Sequence, residues 1–328
     1  MSNKRTIPSK VTATVSPSLA LLKYWGKLKG GINIPATSSI ALTLSGLETR
    51  TELSVNNESD RDSFVLNDSP AEDSKVTSFL DHVRKQYALN TYFKIRSWNN
   101  FPTSAGLASS SSGFGALTTA LSAFVGSTMD SKELSSMARI GSGSACRTVY
   151  GGFTHWVRGT EYAVPLYDQN YWSDLRVILI LVSKKAKPTG SRSAMNHCSE
   201  TSPVFPIWTS TNHEHEKTML EALENKDLER VGQAMQASYL MMFSSMFTAR
   251  PPVIYWLPES MAVIHACEKL RSKGFSVWET MDAGPQVKLF CLEKDLNAIV
   301  KELLNITGPL EYRISSPGAA PQFEVSFD

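Results

Sequence analysis

No run in this 328-residue sequence approaches the roughly 20 apolar residues that cross a bilayer, so neither a spanning helix nor a membrane partner is expected. Cysteine is scarce. The four present, Cys146, Cys198, Cys267 and Cys291, are far apart and form no CxxC or Cys/His spacing, which removes zinc and a disulfide scaffold from consideration and predicts reduced thiols. Basic residues in the opening MSNKRTIPSK have no apolar stretch behind them, so a cytoplasmic rather than a secreted protein is expected. The six histidines make no HxxxH pair and GxSxG is absent, which leaves metal-dependent hydrolysis and acyl transfer without support. Charge of one sign is missing too: 33 basic against 31 acidic residues is too balanced for a nucleic-acid binder.

What remains is ordinary globular composition, 42% hydrophobic and 20% charged, on a chain long enough for two domains or one two-lobed unit. VTATVS (11–16) alternates and is stopped by Pro17, which predicts a strand. Residues 38–46 and 49–55 read as two more strands across a glycine-containing turn, 74–87 as a helix and 91–98 as a strand. Leu107, Phe114, Leu117, Leu121 and Phe124 share a helix face, so a helix is expected to begin inside FPTSAGLASSSSGFG (101–115), with serines 109–112 in its first turn. Asp130 and Glu133 form a capping-box pattern opening a helix that ends at Gly141. The apolar run 175–183 reads as a strand buried on both faces, closing a first lobe. The expected division is therefore 1–188 and 189–328. In the second part, four methionines within 234–249 suit core packing, SMAVIHACEKLRSKG suits an amphipathic helix, and two strands meet at Asp282-Ala-Gly-Pro285.

Four places could carry chemistry. The stretch 101–115 holds three glycines and five serines at a helix start, where free N–H groups and the helix dipole stabilise an anion; a plain connection is the alternative. GxxxxGK[ST] and GxGxxG are both absent, so any phosphate site belongs to another fold. GSGSACR (141–147) offers Arg147, whose planar fork suits a carboxylate or phosphate, or else a helix C-cap beside a surface arginine. Asp282 is a carboxylate at a strand end or a simple turn residue, and Lys23 either snorkels or brings its ammonium to an anion. Lys184, Lys185 and Lys187 read as a solvated strand end, with a phosphate site as the alternative.

Together these segments carry a resemblance. PTSAGLASS is similar to the PxxxGLASS phosphate motif of the small-molecule kinases, among them galactokinase, homoserine kinase, mevalonate kinase and phosphomevalonate kinase. KYWGK (23–27), GSGSACR, MDAGP (281–285) and RPPVIYW narrow the resemblance to the diphosphomevalonate decarboxylases, in family order from residue 11 to about 290. The resemblance implies an α+β, two-lobed fold: an N-terminal lobe of unusual βαβ topology, a C-terminal lobe of antiparallel sheet and helices, and a cleft between them. It implies that ATP phosphorylates the 3-hydroxyl of (R)-5-diphosphomevalonate, after which loss of phosphate and CO2 gives isopentenyl diphosphate for isoprenoid and sterol synthesis. It also implies ATP as co-substrate, Mg2+, and a homodimer.

The same resemblance implies roles. Asp282, Lys23 and Arg147 are the catalytic residues. Tyr24, Trp25, Gly26 and Lys27 contact the diphosphate, Ser142, Gly143, Ser144, Ala145 and Cys146 bind substrate with Arg147, and Ser191 and Arg192 also face it. Pro102, Gly106, Leu107, Ala108, Ser109 and Ser110 hold ATP, with Ser110 near Mg2+. Lys75 is the basic residue nearest a family arginine; Thr37 stands where the family has Asn, and Phe243 aligns near a family His, which makes that His dispensable. A kinase stopping at the phosphate ester is disfavoured by KYWGK and the context of Arg147. A non-catalytic sensor is disfavoured because Asp282, Lys23 and Arg147 are all present.

Overall fold

The computed structural model describes residues 8–102, 109–126, 129–185 and 187–327. The chain opens with β1 (Lys10–Val15), after which Pro17 interrupts the ladder and β2 (Ser18–Leu22) continues in a different sheet. β3 (Ser39–Thr43) and β4 (Thr49–Val55) follow, then β5 (Ser63–Leu66), β6 (Ser69–Pro70), α1 (Ser74–Tyr87) and β7 (Phe93–Asn99). Next come α2 (Ser109–Phe124), α3 (Ser131–Gly141), a 3₁₀ turn (Gly143–Arg147), β8 (Phe153–Trp156), β9 (Val164–Tyr167) and β10 (Leu175–Ile180). The last third holds α4 (Ser191–Thr201), α5 (Phe205–Glu224), α6 (Leu228–Phe247), α7 (Pro258–Ser272), β11 (Trp278–Met281), β12 (Val287–Leu292), α8 (Glu293–Thr307), β13 (Tyr312–Ser315) and β14 (Gln322–Ser326).

The fold is α+β, with three sheets among the described residues. One runs β14-β1-β4-β7-β5-β6, a second β2-β3-β8-β9 and a third β11-β12-β10-β13. In the first, only β5 and β7 pair in parallel. Its apolar face, with Val11, Leu53 and Ile95, shares a core with α1, α2 and α3 through Phe79, Phe114, Leu117 and Met137. The third sheet packs Ile178, Leu289 and Cys291 against α4, α6, α7 and α8, where Met242, Phe243 and Met246 fill the interior. The second sheet joins the two, its Leu21, Ile40 and Leu42 meeting Met219, Leu223 and Met235 of α5 and α6. Three strand pairings cross residue 188: β10 lies between β12 and β13, and β14 returns to the outer edge beside β1.

β3 and β4 form where the sequence indicates, but in different sheets. They are adjacent in sequence around Gly46 but pair with β2 and β8 in one case and with β1 and β7 in the other. Alternation specifies a strand and its buried face, not its partner. The capping box at Asp130 forms as expected, with its carboxylate accepting from Lys132 N and Glu133 N at 2.8 and 2.9 Å.

Candidate active site

β11 and β12 pair antiparallel, and their connection carries Asp282. The turn is held from outside. Gln286 Oε1 accepts from Val182 N at 2.6 Å while its Nε2 donates to Ser183 O, tying the turn to the end of β10. Ser260 Oγ donates to Pro285 O at 2.7 Å. Asp282 presents one carboxylate oxygen to each of two lysines: Lys23 Nζ lies 2.9 Å from Oδ1 and Lys288 Nζ 3.3 Å from Oδ2. Burial alone would raise the Asp282 pKa, but the two ammonium groups outweigh it and hold the carboxyl well below the usual range.

Lys23 is fully buried at the end of β2, so it does not snorkel. Its Nζ also donates to Ala20 O at 2.7 Å and its backbone N to Ser238 Oγ at 2.9 Å. Burial pushes its pKa down to about 8; Asp282 opposes this, while Lys288 and Arg147 add to it. Lys288 is absent from the sequence-derived candidates because a single lysine in an apolar strand carries no motif. Only the β11–β12 turn brings it to Asp282.

The helix α3 ends at Ser142, whose extended backbone (φ −147°, ψ 129°) turns the chain into the 3₁₀ segment. Gly143 passes so close to Tyr24 that a Cβ would sit 2.5 Å from the phenol oxygen, and a side chain there requires movement of the ring. Arg147 is 3% exposed, which rules out the surface-arginine alternative; Nη1 donates to Ser39 Oγ at 2.8 Å and Nε has no partner among the described residues. A buried donor left open in this way suits an incoming carboxylate. The hydroxyls of Ser142 and Ser144 lie 3.4 Å apart on the cavity wall beside it.

Ala145 and Cys146 behave differently from expectation. Both are fully buried in the core beneath the turn and do not line the cavity, because three residues per turn put Ser144 and Arg147 on one face and leave Ala145 and Cys146 on the others. Burial pushes the Cys146 thiol up to about 12, leaving it protonated.

Tyr24, Trp25 and Lys27 reach the cavity, whereas Gly26 serves the backbone: its φ is +114°, and a Cβ would meet the Phe205 ring at 2.6 Å. Thr37 Oγ1 bridges Trp25 N and Lys23 O, each at 3.4 Å, so the departure at this position still braces the segment. Phe243 is fully buried against Phe247 and Trp256, away from the cavity.

Around the mouth stand Lys27, Lys75, Lys187 and Arg192. Lys75 occupies the first turn of α1, where its backbone N is capped by Asp73, and Arg192 Nη2 donates to Gly141 O at 3.0 Å. Burial pushes Lys27 down to about 8, with Arg192 and Lys75 adding to the shift. Lys187 corrects the solvated-strand-end expectation. Lys184 and Lys185 are exposed, but Lys187 turns inward, donates to Ser191 Oγ and Ala283 O at 2.6 and 2.7 Å, and is lowered by burial to about 8.

Ser109, Ser110 and Ser111 line the cavity at the start of α2, where the helix dipole and the first-turn N–H groups favour an anion. Gly106, Leu107 and Ala108 lie outside the described residues, and Pro102 does not line the cavity. Ser18 and Ser111, also missed in the sequence, line this region with hydroxyls that have no partner among the described residues. The cavity is about 400 Å³ and is lined by six cations, Lys23, Lys27, Lys75, Arg147, Lys187 and Arg192, against Asp282 as the one carboxylate among the described lining residues. Such a site takes a polyanion bearing several phosphates. No cluster of three His, Cys, Asp or Glu forms a metal cage among the described residues. Hydroxyls together with substrate phosphates are the donor set Mg2+ accepts.

Comparison with known proteins agrees with this chemistry. Residues 15–166 match the diphosphomevalonate decarboxylase-like N-terminal domain, and 177–319 match the mevalonate 5-diphosphate decarboxylase C-terminal domain. The diphosphomevalonate decarboxylase of Candida albicans is 32% identical over 90% of this chain and 87% of its own length. A solved structure of the mevalonate diphosphate decarboxylase from Enterococcus faecalis superposes with a TM-score of 0.90 at 32% identity, covering 97% of this chain and 99% of that one. Another, described as MDDEF in complex with MVAPP, AMPPCP and magnesium, gives 0.91 at 33% identity over 97% and 99%.

Proposed function

The chain belongs to the diphosphomevalonate decarboxylase family, and from that premise we infer that its cleft performs the ATP-dependent decarboxylation of (R)-5-diphosphomevalonate to isopentenyl diphosphate. The observation that carries the reading is Asp282, ionised between Lys23 and Lys288 and lining the same cationic cavity as buried Arg147. ATP is the co-substrate and Mg2+ its companion.

In this reading Lys27, Lys75 and Arg192 hold the diphosphate, with Tyr24, Ser191 and the serines at 142 and 144 as neutral donors. Arg147 receives the substrate carboxylate on its open guanidinium edge. The 3-hydroxyl then faces Asp282, which accepts its hydrogen bond. A carboxylate held this acidic orients the hydroxyl first and takes its proton only as the new O–P bond forms. Ser109 and Ser110, with the N-terminus of α2, hold the nucleotide phosphates across the cavity. Ser110 would ligate Mg2+, which when bound would neutralise charge on the phosphate chain. Lys23 and Arg147 stabilise the negative charge that develops during transfer.

Phosphorylation turns a poor leaving group into a good one. Phosphate departs with the C–O electron pair, and the electrons of the C–C bond to the carboxylate move in to form the alkene as CO2 is released. Arg147 keeps that carboxylate aligned until the bond breaks. Incubation with ATP, Mg2+ and diphosphomevalonate should release CO2 and ADP in equal amounts. A stable phosphate ester without CO2 would instead identify a kinase. The finer assignments of a cytoplasmic homodimer serving sterol and isoprenoid synthesis rest on the family alone; sizing of the purified protein tests the dimer.

A further inference from the structure

Lys288 is 2% exposed and contributes nothing to the cavity lining, yet its Nζ reaches Asp282 Oδ2 at 3.3 Å. It sits inside β12 among Val287, Leu289, Phe290 and Cys291, all fully buried, and opposite Thr280 and Leu179 in the neighbouring strands. Desolvating an ammonium there costs more than an apolar side chain of the same volume would, so ordinary sheet packing does not account for it. Lys23 differs: it lines the cavity and can meet a ligand as well as Asp282. We propose that Lys288 is a positioning residue for the decarboxylation: from the protein side it holds Oδ2, fixing the plane and the negative charge of Asp282 so that Oδ1 and Lys23 face the substrate.

The proposal rests on the reading that Asp282 addresses the 3-hydroxyl. Four cations act on this carboxylate's surroundings: Lys23 from the end of β2, Arg147 from the 3₁₀ turn, Lys187 from the segment after β10, and Lys288 from β12. Removing Lys288 leaves three, so the carboxylate is not stranded and the fold should survive. What changes is its electrostatic hold. Lys288 also depresses Lys23 and Lys187, so its loss should raise the titration of Asp282 and of both lysines together.

Lys288→Met and Lys288→Arg are compared with the wild-type enzyme in steady-state CO2 release and in thermal unfolding. For Lys288→Met we expect kcat to fall about tenfold or more, KM for both substrates to stay within about threefold, and the alkaline limb of the kcat/KM pH profile, where Lys23 and Lys187 titrate, to move up by about one unit. The unfolding midpoint should not fall. Lys288→Arg, which keeps the charge, should recover part of the lost kcat and return the profile toward wild type. A Met variant with kcat within about twofold of wild type and an unmoved profile overturns the proposal. If Met does not fold, Lys288→Gln, a donor without charge, is held to the same criteria. Asp282→Asn measured in parallel separates the two readings. An active Asn variant defeats the assignment of Asp282 itself, whereas an inactive one beside an unaltered Lys288 variant defeats only the role of Lys288.

Discussion

Replacing Asp282 by Asn preserves its volume and removes the one negative charge among the described lining residues of the cavity. Two consequences follow. Loss of the group that accepts the hydroxyl's hydrogen bond and proton should lower kcat by about 10²–10⁴, or about 2.7–5.4 kcal/mol in the barrier. The second concerns the lysines at 2.9 and 3.3 Å, which lose their counter-ion. A buried ion left unpaired and still charged destabilises by about 3–5 kcal/mol. Lys23, however, already titrates near 8, with Asp282 resisting the effect of burial. Without Asp282 its pKa falls further, and shedding the proton limits the penalty.

The sign of the pH effect is set by proton counts. Where a lysine's folded pKa lies below its unfolded one, the unfolded chain binds more protons between the two values and stability rises with pH. For the wild type that window runs from about 8 to 10.5 at Lys23; in the Asn variant it opens at lower pH. The assay is CO2 release with ATP and diphosphomevalonate, together with unfolding midpoints across neutral to alkaline pH. The variant's midpoint should climb with pH where the wild type's is still flat. A kcat within about threefold of wild type would refute the reasoning.

Arg147→Lys keeps a positive charge but loses the planar fork and the bond to Ser39 Oγ, so CO2 release should drop at least about tenfold; unchanged release would show that the fork is not used. Lys23, Lys27 and Lys187 all titrate near 8 in the free protein, and a diphosphate ligand raises their pKa values. Binding inorganic diphosphate above that pH should therefore take up protons and weaken as pH rises, while at mildly acidic pH uptake should vanish. Titration calorimetry in two buffers of different ionisation heat reads this directly, and equal heats in both would contradict it.

Much of the secondary structure was legible because it is locally encoded. α1 spans Ser74–Tyr87, β4 Thr49–Val55, and α3 opens on its capping box, all as periodicity and capping chemistry indicate. α5 escaped notice because TSTNHEHEK is polar on most sides; Trp208, Asn212, Met219, Ala222 and Leu223 are its buried face. β14 is exposed throughout and is held by pairing with β1, which no local pattern announces. Among the site candidates, Lys23, Arg147 and Asp282 carry recognisable motifs. Lys187 and Lys288 do not: one looks like its solvated neighbours, and the other is a lone charge in an apolar strand.

The sequence by itself therefore determined most of the elements and the family, and marked the start of α2 as a candidate anion site, since these rest on spacing along the chain. Tertiary structure alone decided which charges meet. Lys23 and Asp282 stand 259 residues apart, and their contact exists because the end of β2 and the β11–β12 turn converge on one cleft. The ammonium groups that make Asp282 acidic, and the burial that lowers Lys23, Lys27 and Lys187, are properties of the assembled cleft. Short-range sequence cannot encode them, because electrostatic coupling depends on distance in space and on the water excluded between the groups.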